Sequence, residues 1–106
     1  MEAIKIALKE EQKEADKLIK KYEKELLQIP KGSFFLRKVG NQFYGYLTYS
    51  EKGQINQKYL GLLEEDEIKK YKNLMNRKKK LKELLQKASY QKEFLEKALK
   101  HARKKS

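Results

Sequence analysis

The first 29 residues place apolar side chains with the period of an α-helix. Steps of three and four residues put them along one side, as in a helix that buries one face: Ile4, Leu8, Ala15, Leu18, Ile19, Tyr22, Leu26 and Ile29. Asp16 and Lys20 are spaced for an i,i+4 ion pair on the other side. Because proline cannot continue a helix, Pro30 ends it, and the pattern predicts one helix from about residue 2 to residue 28.

After Pro30 the pattern changes to that of β-strands. Aromatic and β-branched residues dominate three runs, Ser33–Val39, Gln42–Ser50 and Gln54–Leu60. Short turn sequences separate the runs: Gly40-Asn41 suits a two-residue hairpin, and Glu51-Lys52-Gly53 suits a three-residue loop with glycine in the left-handed position. The middle of the chain therefore predicts a three-stranded antiparallel meander.

The turns fix the predicted register, and the register sorts the side chains between the two faces of the sheet. We expect Val39 to pair with Gln42 and Ser50 with Gln54. One face then carries Phe34, Leu36, Phe43, Leu47, Tyr49, Ile55 and Tyr59, and is apolar enough to require a covering helix. The opposite face carries Phe35, Arg37, Tyr44, Tyr46, Thr48, Asn56 and Lys58.

A second helical pattern runs from about Leu63 to Lys105. Its stripe consists of Ile68, Tyr71, Leu74, Met75, Leu81, Leu85, Ala88, Leu95 and Leu99. Spacing predicts i,i+4 ion pairs at Glu83–Lys87, Glu93–Lys97 and Glu96–Lys100. At 1.5 Å per residue this helix is about 60 Å long against about 40 Å for the first. Either it breaks near Ala88-Ser89, with Ser89 capping a third helix, or it projects and pairs with a second chain; we favour a break or bend.

These elements predict an α+β fold in which residues 1–106 form a single domain. Residues 1–29 are a helix, 30–62 the meander and 63–106 a basic helix, with the helices packed as a helical hairpin or coiled coil. Cysteine is absent, which excludes disulfides and thiolate metal sites. The sequence contains neither a signal-peptide pattern nor a membrane-length apolar run, so we expect a cytoplasmic protein.

The net charge of +12 is unevenly distributed along the sequence. Residues 1–29 carry seven basic and seven acidic residues, residues 30–62 five and one, and residues 63–106 fifteen and seven. This asymmetry favours a polyanionic partner, most often nucleic acid, although a solvated lysine-rich surface is the alternative. The candidate contacts are Arg37, Lys58, Lys72, Arg77, Lys79, Lys80 and Lys87. With 24 lysines and three arginines, contact mainly with the phosphate backbone is expected.

The aromatic side of the predicted meander suggests a second kind of contact. Phe35, Tyr44 and Tyr46 share a face with Arg37 and Lys58, a combination that resembles a stacking platform for unpaired bases. The competing interpretation is that a helix or a second subunit covers these rings, because small two-layer domains readily hide aromatic residues.

Short motifs in the middle of the chain resemble a family of small uncharacterised proteins. They are Pro30-Lys31-Gly32-Ser33, Tyr44-Gly45-Tyr46-Leu47 and Lys58-Tyr59-Leu60-Gly61, followed by acids and a lysine-rich helix, so the resemblance covers roughly residues 30–85. Such proteins occur in bacteria, archaea, phages and transposon-associated regions, which implies a mobile-element context and contact with nucleic acid. Relatives often carry a cysteine knuckle in the first hairpin; this chain has Gly40-Asn41 there, and the departure removes any inference of a metal.

The sequence offers little support for catalysis. The single histidine, His101, lies near the end of a basic helix without a carboxylate placed to orient it. We therefore expect no enzymatic activity, no cofactor and no metal. Two functions remain: a nucleic-acid-binding protein of a phage or mobile element, or a protein-binding inhibitor or adaptor, such as an anti-CRISPR protein, that acts on a nucleoprotein enzyme. A membrane-surface role is a distant third, and a homodimer through the C-terminal helix is the expected oligomer if one forms.

Overall fold

The computed structural model describes residues 2–104, and the side chains of residues 2–101. The elements are α1 (Glu2–Leu27), β1 (Ser33–Val39), β2 (Gln42–Glu51), β3 (Gln54–Leu63) and α2 (Glu65–Lys104). The predicted α+β fold with two long helices around a three-stranded meander is confirmed. The predicted C-terminal helix boundary at Lys105 lies outside the described residues.

Contacts divide the chain into two compact units. One contains Met1–Leu27 with Lys80–Ser106, and the other contains Gln28–Lys79. The sheet thus belongs with the first part of α2, and α1 belongs with the second part. Each unit carries a net charge of +6, from eleven basic and five acidic residues in Gln28–Lys79 and sixteen and ten in the other. Whether the chain behaves as a single domain stays a prediction.

In the first unit, α1 and residues 80–104 form an antiparallel helical hairpin. Lys92 Nζ lies 2.8 Å from Asp16 Oδ1, and Gln12 Nε2 donates to Glu96 Oε1 at 3.4 Å. The hydrogen bond that Lys92 donates to Asp16, aided by the negative charge of that carboxylate, raises the pKa of Lys92 above the usual lysine value. Half-exposed ion pairs contribute little to stability, so apolar packing holds the hairpin. The buried side chains are Ala15, Leu81, Ala88, Leu95 and Leu99.

Two sequence predictions about the helices are wrong. α2 continues through Ala88-Ser89 without a break; Ala88 is buried in the hairpin contact, and alanine is the strongest helix former. α2 is longer than α1 because its first part, residues 65–79, packs with the sheet. Asp16 bonds to Lys92 on α2 rather than to Lys20, whereas the predicted Glu93–Lys97 pair is present at 3.3 Å.

α2 begins with a capping arrangement. The backbone N–H of Glu64 donates to Glu67 Oε1 at 3.3 Å, and the N–H of Ile68 donates to the Glu64 carbonyl at 3.0 Å. This is the half of a capping box in which the third helical residue reaches back to the cap. The acidic first turn also places negative charge at the positive end of the helix dipole.

The sheet has the order β1-β2-β3 with antiparallel pairing throughout. Val39 pairs with Gln42 as predicted. The second hairpin differs, because Glu51, rather than Ser50, pairs with Gln54. Lys52 and Gly53 adopt φ of 52° and 77°, and two consecutive left-handed residues make the tight two-residue turn that matches strand twist. This slip of one residue reverses the faces of Ile55, Asn56, Lys58 and Tyr59.

A β-bulge in β3 then reverses the pattern again. Gly45 pairs with Gly61 but Tyr46 pairs with Tyr59, so Leu60 is the extra residue, and Gly61 has φ of 88°. Because the extra residue shifts the alternation of side chains between the two faces by one, Tyr59 faces one side of the sheet while Leu63 faces the other. Leu63, only 5% exposed, joins the covered side.

The side that packs on residues 65–79 we call the inner face. Leu47 is 4% exposed there, and the ring of Phe34 stacks on Tyr71 of α2 with centroids 5.1 Å apart and planes 13° apart. Lys78 Nζ donates to the carbonyls of Pro30 and Gly32 at 3.3 and 3.0 Å, which ties the segment before β1 to α2. The predicted apolar face is confirmed for Phe34, Leu36, Phe43, Leu47 and Tyr49, and is wrong for Ile55 and Tyr59.

Candidate functional site

The other side of the sheet, which we call the outer face, carries a band of aromatic residues. The register arranges its side chains in rows that cross the strands. The central row is Phe35, Tyr46 and Tyr59; the row on one side is Arg37, Tyr44 and Leu62, and the row on the other side is Ser33, Thr48 and Gln57. The outer face therefore has an aromatic centre, one edge with a cation, and one edge with uncharged hydrogen-bonding groups.

These rings remain accessible in the folded chain. Phe35 is 52% exposed and Tyr59 57%, and Tyr44 and Tyr46 are half-buried. The apolar side chains at the margin, Val39, Ile55 and Leu62, are also exposed. Large apolar side chains exposed together on one face are typical of an interaction site. The interpretation in which the chain's own helix covers these rings is therefore not what the structure shows.

Three tyrosines form a contiguous cluster on β2 and β3. The ring of Tyr59 is next to both of the others, with its centroid 6.4 Å from that of Tyr44 and 5.2 Å from that of Tyr46. The planes differ by 22° and 46°, which are offset and tilted arrangements that aromatic pairs favour. Mutual contact explains why Tyr44 and Tyr46 are half-buried, and it holds three ring faces next to one another on a rigid sheet.

Polar groups of the outer face lie close to this cluster. The Tyr44 hydroxyl donates to Gln42 Oε1 at 3.1 Å, which fixes the orientation of that ring. Arg37 is exposed and stands directly across from Tyr44 in the register. Glu51 is the one acidic residue of the sequence between residues 33 and 63, and its register position is on the inner face. The electrostatic environment of the outer face is therefore positive, without a carboxylate in the strands to offset Arg37.

The structure places the predicted nucleic-acid-binding cations on different surfaces. Among the seven predicted nucleic-acid contacts, Arg37 alone belongs to the outer face. Lys58 pairs with Leu47 and so belongs to the inner face, because the tight second turn shifts the register; its predicted place beside Tyr44 and Tyr46 is wrong. Lys72 lines an open depression of about 610 Å³ together with Glu64 and Glu65, whose charges oppose its own.

The remaining predicted cations lie along α2 and are exposed: Arg77, Lys79, Lys80 and Lys87. Arg77 and Lys79 belong to the unit of the sheet, and Lys80 and Lys87 belong to the helical hairpin. Residues seven apart, such as Lys80 and Lys87, share one side of the helix, but Lys79 and Lys80 point about 100° apart. They do not make one continuous basic ridge.

Sequence reasoning missed Tyr59 as a member of the aromatic cluster. The two-residue turn at Lys52-Gly53 places Tyr59 on the outer face. The bulge at Leu60-Gly61 then places Leu63 on the inner face. The signal available in the sequence was Gly61 within the apolar end of the third strand, since an isolated glycine in a strand often marks a bulge.

Other kinds of site find little support in the part of the chain that the structure describes. No group of three histidine, cysteine or acidic residues among the described side chains is arranged to hold a metal ion. Neither α1 nor α2, within residues 2–104, has a stretch that is both apolar enough and long enough to span a membrane.

Comparison with known proteins adds no relative. No protein-family model, curated protein or solved structure matches this chain.

Proposed function

We propose that this protein is a non-enzymatic binding protein that takes up single-stranded nucleic acid on the outer face of its sheet. The observation that carries the proposal is the exposed cluster of Tyr44, Tyr46 and Tyr59 beside Arg37. Unpaired bases stack on such rings in sheet-based RNA-binding modules, and the contact tolerates any sequence because each base has a π-face. The phage or mobile-element setting implied by the sequence resemblance stays a prediction.

The geometry favours unpaired bases over a duplex. Rings that lie on the surface of a sheet offer flat faces, and the bases of a duplex have their faces already stacked on each other. Reading base edges in a major groove relies mainly on arginine, lysine, asparagine and glutamine. The outer face has a single arginine and places aromatic rings at its centre, so it is better suited to stacking than to groove readout.

Charge supports the same partner. The unit that contains the sheet has a net charge of +6, and Arg37 is placed beside the rings where a phosphate would follow a stacked base. Lysines such as Lys79 on the same unit add long-range attraction to a polyanion. Phosphate contacts contribute affinity without sequence preference, so binding of mixed-sequence strands is expected.

Salt dependence is the first test. We expect fluorescence anisotropy to show tighter binding to a mixed-sequence single strand than to its duplex. Affinity for the single strand should fall roughly fiftyfold between about 50 and 200 mM salt if about four phosphates are contacted. Arg37→Gln should reduce the slope of log K against log salt by about 0.7, the contribution of one phosphate on a single strand.

Lys58→Gln is the matched control, because it removes one positive charge from the inner face of the same sheet. It should leave the salt slope nearly unchanged. If the two substitutions reduced the salt slope equally, the strand would not bind specifically to the outer face. Failure of the wild-type protein to bind either oligonucleotide at low salt would contradict the proposal.

A second candidate function is supported by the apolar margin of the outer face. Ile55 is 81% exposed, Val39 53% and Leu62 46%. Aliphatic side chains around tyrosines also suit a protein partner, as the inhibitor or adaptor interpretation requires. Ile55→Ser discriminates between the two: it should abolish contact with a protein that buries this side chain, and it should change single-strand affinity by less than about threefold, because an aliphatic side chain offers no stacking surface.

A further inference from the structure

The second half of α2 carries two large aromatic side chains that the helical hairpin does not use. Tyr90 is 64% exposed and Phe94 is 70% exposed. Ala88, which is buried in the hairpin contact, is two residues before Tyr90 and hence about 200° away around the helix. The two rings therefore lie on the side of α2 opposite the contact, one helical turn apart.

Lysines flank these rings on the same side. Lys87 precedes Tyr90 by three residues and Lys97 follows Phe94 by three, and both are exposed. We call Lys87, Tyr90, Phe94 and Lys97 the aromatic ridge. The carboxylate next to it, Glu93, pairs with Lys97 at 3.3 Å, and Glu83 lies two turns before Tyr90 on the same side. Residues 80–104 carry eight basic and three acidic residues in all.

We infer that the aromatic ridge is a second contact for single-stranded nucleic acid, in which bases stack on Tyr90 and Phe94 and phosphates meet Lys87 and Lys97. The inference rests on the proposed function, because it assigns another surface to the same class of ligand. Exposed rings with cations one turn before and after them combine the two elements of sequence-tolerant single-strand binding, stacking and backbone neutralisation.

A second copy of the chain is a poorer occupant of the ridge. In a two-fold dimer each surface meets its own copy. An antiparallel pair that places Tyr90 against Phe94 would set Lys87 against Lys97, and a parallel pair would set each lysine against itself. Like charges in direct opposition destabilise either arrangement, whereas a polyanion removes the repulsion.

A lipid surface is also a poorer occupant. A helix that lies in a membrane interface buries a broad apolar face beneath its basic residues. The broad apolar stripe of this part of α2 consists of Leu81, Ala88, Leu95 and Leu99, and it is buried in the hairpin. Two isolated rings remain, which suit stacking better than insertion among acyl chains.

Photocrosslinking tests the inference on the full-length protein. A mixed-sequence single strand that contains 5-bromouracil is irradiated with the protein, and the attached peptides are identified by mass spectrometry. We expect crosslinks in the tryptic peptides 88–92 and 93–97, in addition to those that contain the sheet tyrosines. Tyr90→Ala with Phe94→Ala should weaken binding about tenfold, and helix content should be unchanged because alanine is a strong helix former.

The matched control is Leu27→Ala, which removes an apolar side chain, 86% exposed, from the other helix of the same unit and should leave affinity unchanged. Crosslinks confined to the sheet, with wild-type affinity in the double variant, would overturn this inference and leave the proposed function intact. A double variant that converts a dimer to a monomer in sedimentation, or loses only binding to anionic vesicles, would also overturn it. If the wild-type protein binds no oligonucleotide at all, the proposed function is wrong, and the inference that rests on it is wrong as well.

Discussion

Replacement of Tyr44, Tyr46 and Tyr59 by threonine is expected to weaken single-strand binding by about a hundredfold or more. Each stacked base contributes roughly 1–3 kcal/mol, and the cluster offers faces for two or three bases. Threonine is β-branched, and strands favour β-branched residues as they favour aromatic ones, so the sheet should form without the rings. Loss of the cross-strand contacts should lower the free energy of unfolding by only about 1–2 kcal/mol.

The matched control for this variant is replacement of the same three tyrosines by phenylalanine. It keeps the ring faces and removes the hydroxyl groups, including the one that bonds to Gln42. Stacking predicts an affinity within about threefold of the wild-type value, since a ring without its hydroxyl still stacks. A phenylalanine variant as weak as the threonine variant would mean that hydroxyl hydrogen bonds, not ring faces, carry the interaction. Unfolding of the threonine variant would instead identify the rings as core.

Replacement of Gly32 by alanine is expected to have the largest effect on stability. Gly32 has φ of 94°, and an added Cβ would overlap the Thr48 carbonyl oxygen and lie 2.8 Å from its carbon and 2.9 Å from Tyr49 Cβ. Backbone atoms of the neighbouring strand cannot move aside as a flexible side chain can. We expect a loss of about 3 kcal/mol or more from the combined backbone strain and overlap.

Gly40→Ala provides the control for backbone strain alone. Gly40 has φ of 64°, but nothing lies within 4 Å of an added Cβ, so the cost should be about 1–2 kcal/mol. Urea unfolding followed by tyrosine fluorescence measures both variants, since five of the seven tyrosines belong to Gln28–Lys79. Equal losses for Gly32→Ala and Gly40→Ala would show that β1 and β2 do not approach as closely here as the structure indicates.

The fold was largely predictable because local signals agree with one another. The three- and four-residue spacing defines α1, Pro30 ends it, and the Gly40-Asn41 turn fixes the first hairpin with the observed register. The prediction of a break at Ala88-Ser89 was wrong for a reason of tertiary structure. The prediction compares the length of α2 with that of α1 alone, whereas residues 65–79 of α2 pack with the sheet.

The site was only partly predictable because a strand register is sensitive to single residues. Phe35, Arg37, Tyr44 and Tyr46 were correctly placed on one face, since they follow the first hairpin. Tyr59 and Lys58 exchanged faces because Lys52 adopts a left-handed conformation that a lysine seldom takes. The exposed rings of Tyr90 and Phe94 were not predicted as a site because they lie outside the apolar stripe that defines α2 as a helix.

The two aromatic surfaces differ in how they are held. The outer face presents its rings from adjacent strands, where Tyr59 contacts both Tyr44 and Tyr46. The aromatic ridge presents its rings from one helix, a turn apart. Sites built on strands and helices hold their side chains more precisely than loops do. The outer face is therefore the better preorganised of the two surfaces, which lowers the entropic cost of binding a flexible strand there.

Binding of nucleic acid on the outer face is tested most directly by an NMR titration of the ¹⁵N- and ¹³C-labelled protein with a single strand of about eight nucleotides. We expect saturable shifts at the outer-face rings of Phe35, Tyr44, Tyr46 and Tyr59, with upfield movement of their ring protons as bases stack, while inner-face residues such as Leu47 stay unchanged. Shifts confined to the lysines of α2, with the tyrosine rings unmoved at saturation, would show that the strand does not bind on the outer face.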